Sequence, residues 1–224
     1  MRLFVTGTDT DVGKTRVAAA LGAALVARGE RPTIVKAVQT GLAPGADGDA
    51  AEAAALAGCA ALELARFRLA ADPWSAALAE GVPPLDAAVL ARRIEDVPGP
   101  VIVEGAGGAA VPINATETIA TLVALTSCEA VVVAGLRLGA ISHTILTLDY
   151  LAAHGVRVRG VVLVERWRAI DADERARFVR PILSRAPLLG LIEYDLDTRR
   201  SVSRAAQFLV TSLALDPDKV GTRA

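Results

Sequence analysis

Cysteine and histidine are scarce in this chain of 224 residues, which has only Cys59, Cys128, His143 and His154. The two cysteines lie far apart in apolar surroundings without a pairing motif, so they read as small core residues of a reducing compartment. With so few sulfur and imidazole ligands, a structural zinc site is not expected. Charge of one sign is missing too. The 24 Lys and Arg balance 25 Asp and Glu, a formal net charge of -1, which leaves no basic footprint for nucleic acid. The arginine-rich stretch Arg166 to Arg185 is interleaved with Asp171, Asp173 and Glu174 and reads as a solvated helix face. Although 53% of residues are hydrophobic, charges interrupt every apolar run short of the ~18 residues a membrane span requires. The mean hydropathy of +0.43 therefore comes from the Ala, Val and Leu of buried layers. No secretory leader opens the sequence, so a cytoplasmic location without membrane association is expected.

What is present is an alternation. β-Branched runs at Leu3 to Thr6, Thr33 to Val35, Val101 to Val103, Ala130 to Val133, Val158 to Val164 and Leu188 to Ile192 read as parallel strands buried on both faces. Helical patterns lie at Lys14 to Arg28, Asp49 to Ala57, Leu85 to Ile94, Thr118 to Leu125, Ile141 to His154, Asp171 to Ser184 and Ser201 to Leu215. This predicts an α/β fold: one domain over residues 1–224, with an open, mostly parallel sheet flanked by helices on both faces. Leu42 to Gly48, rich in Gly, Pro and Ala, reads as a mobile loop, and Asp216 to Ala224 as a frayed tail.

Between the first strand and first helix stands Gly7-Thr8-Asp9-Thr10-Asp11-Val12-Gly13-Lys14-Thr15. Strand, glycine-bounded loop and helix in that order form a phosphate cradle of the P-loop NTPase type, in which backbone N–H groups converge on an anion. The first glycine falls at Gly7, one position before the usual spacing. Thr10, Asp11, Val12, Gly13, Lys14, Thr15 and Arg16 are thus candidate residues for ATP or another nucleoside triphosphate. Lys14 supplies a cation for the outer phosphates, and Thr15 a hydroxyl for the Mg2+ that accompanies them.

Three further groups belong to the same carboxyl edge of the sheet. Lys36 ends the second strand, with Thr40 four residues on; a second lysine there would stabilise charge on a transferring phosphoryl group. Glu104 ends the strand Val101-Ile102-Val103 and reads as a metal or catalytic carboxylate, as does Asp49; Asp47 and Asp49 flank Gly48 and can also serve as helix caps. Gly139-Ala140-Ile141-Ser142 opens a helix whose free N–H groups suit a carboxylate or phosphate, and Ser142 reads alternatively as a cap. The loops Gly7 to Gly13, Gly105 to Gly108 and Gly135 to Gly139 should border one crevice. Glu165 and Arg166 end a strand where such sheets often read the base.

The P-loop, Lys36-Ala37-Val38-Gln39-Thr40-Gly41, Val103-Glu104-Gly105-Ala106-Gly107-Gly108, Gly139-Ala140-Ile141-Ser142-His143-Thr144 and Ala186-Pro187-Leu188-Leu189-Gly190 together resemble the dethiobiotin synthase family, in order from about Arg2 to Ile192. The resemblance implies MgATP-dependent carboxylation of 7,8-diaminononanoate with CO2 and closure of a ureido ring. It places Lys14, Lys36 and Thr40 at the reacting groups, and Thr15, Asp49 and Glu104 at magnesium. Thr10, Lys36, Thr40 and Gly107 would face the substrate. Gly139, Ala140, Ile141 and Ser142, from the partner of a homodimer with shared sites, would hold its distant carboxylate. Where relatives read adenine with asparagine and aspartate, this chain has Val164 and Glu165, which implies looser nucleotide choice. Ser142, in place of a commoner asparagine, implies weaker substrate affinity. The rival is a partitioning-type nucleotide-switch ATPase, but such proteins carry a lysine where this chain has Asp9.

Overall fold

A computed structural model describes residues 1–214, with side chains through residue 211. Leu215 and the expected tail lie outside the described residues. The strands are β1 (Arg2–Gly7), β2 (Thr33–Lys36), β3 (Ala60–Glu63), β4 (Val101–Gly108), β5 (Glu129–Gly135), β6 (Val158–Val164) and β7 (Leu188–Ile192). The helices are α1 (Lys14–Ala27), α2 (Asp49–Ala57), α3 (Pro73–Ala79), α4 (Ala87–Glu95), α5 (Ile119–Ala124), α6 (Ala140–Ala153), α7 (Ala172–Leu183) and α8 (Thr198–Ala214). All strand pairs are parallel, in the order β3-β2-β4-β1-β5-β6-β7.

Side-chain alternation divides the core into two layers. Leu3, Val5, Ile34, Ile102, Val131, Val133 and Val162 face α1, α2 and α8, whereas Phe4, Val35, Val103, Val132 and Leu163 face the layer built on α4, α5, α6 and α7. Because both faces are covered, the strands show apolar runs instead of alternating polarity. Each fully buried Leu or Ile contributes about 1.5–3 kcal/mol, and the helices supply more of them than the strands do, among them Leu21, Leu25, Ile94, Ile119, Leu122 and Leu151.

Two elements escaped the pattern. β3 is a short edge strand, Ala60-Ala61-Leu62-Glu63, exposed along most of its length, so no apolar run marks it. α3 begins with Pro73 in its first turn, and the Asp72 side chain accepts the Ser75 N–H at 2.9 Å. No helical pattern marks this short segment in the sequence, although Pro at a helix start needs no donor. α7 is the solvated helix expected of the arginine-rich segment, burying only Ile182.

The strand order reverses around β4 and β1, and the carboxyl ends of β1, β2 and β4 open on a common crevice, as ligand sites in open sheets do. Register does the rest. Lys36 is the Cα partner of Glu104, and the same β4 residue partners Val5 on β1. Ile34 and Ile102 lie two residues earlier on the α1 side, so Lys36 and Glu104 emerge on that side too, beside the start of α1.

Candidate functional site

The crevice has a volume of about 720 Å³, and its lining includes Thr10, Asp11, Gly13, Lys14, Thr15, Arg16, Lys36, Thr40, Asp49, Glu104 and Gly107. These are the residues expected at a nucleotide and its reacting partner. α1 starts immediately after Gly13, whose φ of 100° lies in the left-handed region. A Cβ there would sit 2.9 Å from Val164 Cγ1, so glycine is required by both torsion and space. The Lys14 ammonium donates to the Asp9 carbonyl at 2.9 Å, folded back over its own loop.

At the centre, the Lys36 ammonium lies 2.8 Å from Glu104 Oε1 and 2.5 Å from Asp49 Oδ2. It also donates to the Gly105 carbonyl at 3.3 Å. Thr15 Oγ1 donates to the same Glu104 oxygen at 3.1 Å. Glu104 is 1% exposed and Lys36 4%, so water screens their attraction little. Burial alone would lower the Lys36 ammonium, but Glu104 and Asp49 more than offset it and hold it above its ordinary value.

Glu104 Oε2 is buried and has no hydrogen-bond partner. An orphaned carboxylate oxygen is costly. Here it stands with the Thr15 hydroxyl and the Asp49 carboxylate, a hard-oxygen donor set suited to a magnesium ion that brings waters and phosphate oxygens as its other ligands. The described residues contain no cluster of three or more acidic, His or Cys ligands, so an all-protein metal cage is absent among them.

Lys14 differs from Lys36 in lacking an adjacent carboxylate. Burial lowers its ammonium to about 8, with Glu104 opposing the fall and Lys36 adding to it. Because the folded value lies below the unfolded 10.5, the charged form is penalised below about pH 8, and the penalty disappears as pH rises to 10.5. A bound triphosphate favours the charged form. Binding of a non-hydrolysable ATP analogue should therefore take up about one proton between about pH 8.5 and 10 and almost none at about pH 7. Calorimetry in buffers of different ionisation enthalpy measures this; equal uptake at both pH values would remove Lys14 from the phosphate site.

Not every expected residue reaches the crevice. Val12 is buried in the core, and Val164 packs against Gly13 instead of facing a base. Glu165 also turns inward: its carboxylate accepts from Arg175 Nη2 at 2.6 Å and from the Tyr194 N–H at 3.1 Å, joining β6 to α7 and the segment after β7. Its neighbour Arg166 lines the crevice instead and pairs with Asp11 at 2.9 Å. Strand alternation carried the signal, since Val162 and Val164 share one face. The Gly135 to Gly139 loop does not line this crevice. It packs on the outer side of the P-loop through Arg137, which meets Asp9 at 2.5 Å and lies over the Trp167 ring. Gly139 is the N-cap of α6, so Ser142 lies within the first turn and is not a cap.

Asp49 is likewise not a cap. The N-cap of α2 is Gly48, and Asp49 is the first helical residue, its N–H donating to Gln39 Oε1 at 3.0 Å. Asp47 provides no side-chain cap either. In the preceding loop, Arg66 Nη1 donates to the carbonyls of Ala43 and Ala46, each at 2.8 Å. Arg66 and Gln39 were not singled out in the sequence. They sit near β3, the strand that pattern reading also missed.

The profile of a family described as an AAA domain matches residues 1–201. The ATP-dependent dethiobiotin synthetase BioD of Rhodococcus jostii is 43% identical over 166 residues, covering 72% of each chain. That of Saccharopolyspora erythraea is 41% identical over 195 residues, 85% of this chain and 86% of the relative. Among solved structures, the cell division ATPase MinD of Pyrococcus furiosus superposes with a TM-score of 0.61 at 18% identity, covering 95% of this chain and 98% of that one. A ParA family ATPase from Chlorobium tepidum gives 0.58 at 14% identity, over 96% and 99%. At such identities these structures share the fold alone. The sequence relatives, matched over most of their length, decide the family: the chain belongs to the ATP-dependent dethiobiotin synthetases, P-loop ligases of biotin biosynthesis.

Proposed function

We propose that the protein joins CO2 to 7,8-diaminononanoate and closes the ureido ring of dethiobiotin, using ATP. One amine adds to CO2 and loses a proton to give a carbamate. A carbamate oxygen attacks the γ-phosphorus as ADP leaves, and the neighbouring amine then attacks the carbonyl carbon, losing a proton and expelling phosphate as the ring closes. The carbamate nucleophile and the phosphoryl donor are both anionic, so the chief task of the site is to offset their repulsion.

The observation that carries this reading is the placement of two buried lysines and two carboxylates around one crevice. Lys14 and Lys36 would hold the γ-phosphoryl and carbamate oxygens, with the Thr40 hydroxyl nearby. Thr15, Asp49 and Glu104 would hold Mg2+, which when bound neutralises charge on the phosphates. Thr10 and Gly107, across the crevice, would border the substrate. The substrate's distant carboxylate would meet Gly139, Ala140, Ile141 and Ser142 of a second copy. Supporting that arrangement, these residues lie outside their own crevice, and Leu138 and Leu146 beside them are 98% and 64% exposed. A homodimer with shared sites follows from this reading.

The test is coupled phosphate release. Release should require diaminononanoate and bicarbonate together, whereas a nucleotide switch would hydrolyse ATP without either; the latter result would overturn the proposal. The interior placement of Val164 and Glu165 leaves neither side chain to read a purine, so turnover with GTP or CTP is expected within about 100-fold of that with ATP. A preference for ATP over both that exceeds this factor, about 2.7 kcal/mol, would refute loose nucleotide choice.

A further inference from the structure

We infer that Arg66, braced by Glu63, is a positioning residue for the Asp49 carboxylate, and through it for the divalent cation of the reaction. The inference rests on the reading of Asp49 as a metal ligand. Asp49 follows a loop that leaves the crevice after Leu42 and returns at Asp49 itself. One guanidinium holds that loop from the far side. Nη1 takes the carbonyls of Ala43 and Ala46, while Nε and Nη2 form a fork on Glu63 at 2.6 and 2.8 Å.

The brace leads to the reacting centre in two ways. Glu63 is the last residue of β3 and the register partner of Lys36, which in turn partners Glu104, so the brace is fixed in the same row of the sheet. Gln39 forms a bridge with Arg66 and accepts the Asp49 N–H. Gly48 is packed among all three: a Cβ there would meet Glu63 Oε2 at 2.7 Å, Gln39 Oε1 at 2.9 Å and Arg66 Nη2 at 3.1 Å. The backbone just before Asp49 is thus clamped by Gln39, which lines the crevice, and by Glu63 and Arg66, which do not. Groups that orient a metal ligand typically change metal affinity or activity by about 10–100-fold when removed.

The test uses the full chain with ADP present and reads Mn2+ binding by electron paramagnetic resonance. Arg66→Gln should weaken Mn2+ binding by about 10-fold or more, while metal-free ADP binds within about twofold of wild type, because Lys14 and the P-loop are untouched. Arg66→Lys should not restore affinity, since a single ammonium cannot reproduce a fork on Glu63 and two carbonyl contacts. Glu63→Gln, which keeps the carbonyl contacts, should shift Mn2+ affinity in the same direction and serves if Arg66→Gln fails to fold. Wild-type Mn2+ affinity in these variants, or a parallel loss of metal-free ADP binding, overturns the inference. Asp49→Asn separates the two claims. If it weakens Mn2+ while the Arg66 and Glu63 variants do not, only the bracing role fails; if it has no effect, the metal-ligand reading fails and the inference with it.

Discussion

Replacing Lys36 with methionine should cut turnover at saturating ATP by about 100-fold or more, the usual consequence of removing one preorganised charge from a site of charge transfer. The same substitution should also lower stability. Glu104 would keep only the Thr15 hydroxyl, and stripping one partner from a buried ion pair costs about 3–5 kcal/mol unless the remaining charge is neutralised. Burial already pushes the Glu104 carboxyl above its unfolded value of 4.5, and loss of the lysine removes a force that lowers it. A carboxyl raised in the folded state binds its proton more tightly there than in the unfolded chain. The stability deficit should therefore be small near pH 4.5 and grow as pH rises through the folded value. Lys36→Met/Glu104→Gln should recover much of the melting temperature at pH 8 without recovering turnover. If the single variant turns over normally, Lys36 has no part in the chemistry.

Gly13→Ala should lower kcat/KM for MgATP by about 100-fold, an effect on the scale of misplacing reacting groups by 1 Å. A left-handed torsion costs a residue with a Cβ about 1–2 kcal/mol, and the methyl must also displace Val164. Both changes move the N–H groups at the start of α1. Gly13→Ala/Val164→Ala removes the collision but leaves the torsional cost, so it should regain part of the activity. Steady-state kinetics on both proteins checks this. Near-normal kcat/KM for Gly13→Ala would mean that the cradle tolerates a side chain and is not closely fitted to phosphate.

The sequence showed the sheet and the P-loop clearly because both rest on strong local signals. Apolar β-branched runs mark strands buried on two faces, and Gly13-Lys14-Thr15 precedes an apolar helix. Lys36 and Glu104 were legible as strand-end residues. Their contact was not, because it depends on β4 lying between β1 and β2, a pairing no local pattern encodes. β3 and Arg66 were illegible for a related reason: an exposed edge strand carries no apolar signature, and a surface arginine gains its role only from a loop 20 or more residues away. The inward turn of Val164 and Glu165 shows the limit of motif position as a guide. The strand-end position and the family resemblance marked a base-reading place, but alternation and the ties to Arg175 and Tyr194 gave it to the interior.

The pairing of Lys36 with Glu104 across neighbouring strands also bears on how the sheet avoids misassembly. A slip of one residue between β2 and β4 would send one charge into the hydrocarbon of the opposite layer and strand the other without a counterion. Competing alignments are thereby disfavoured by the very groups that serve the reaction.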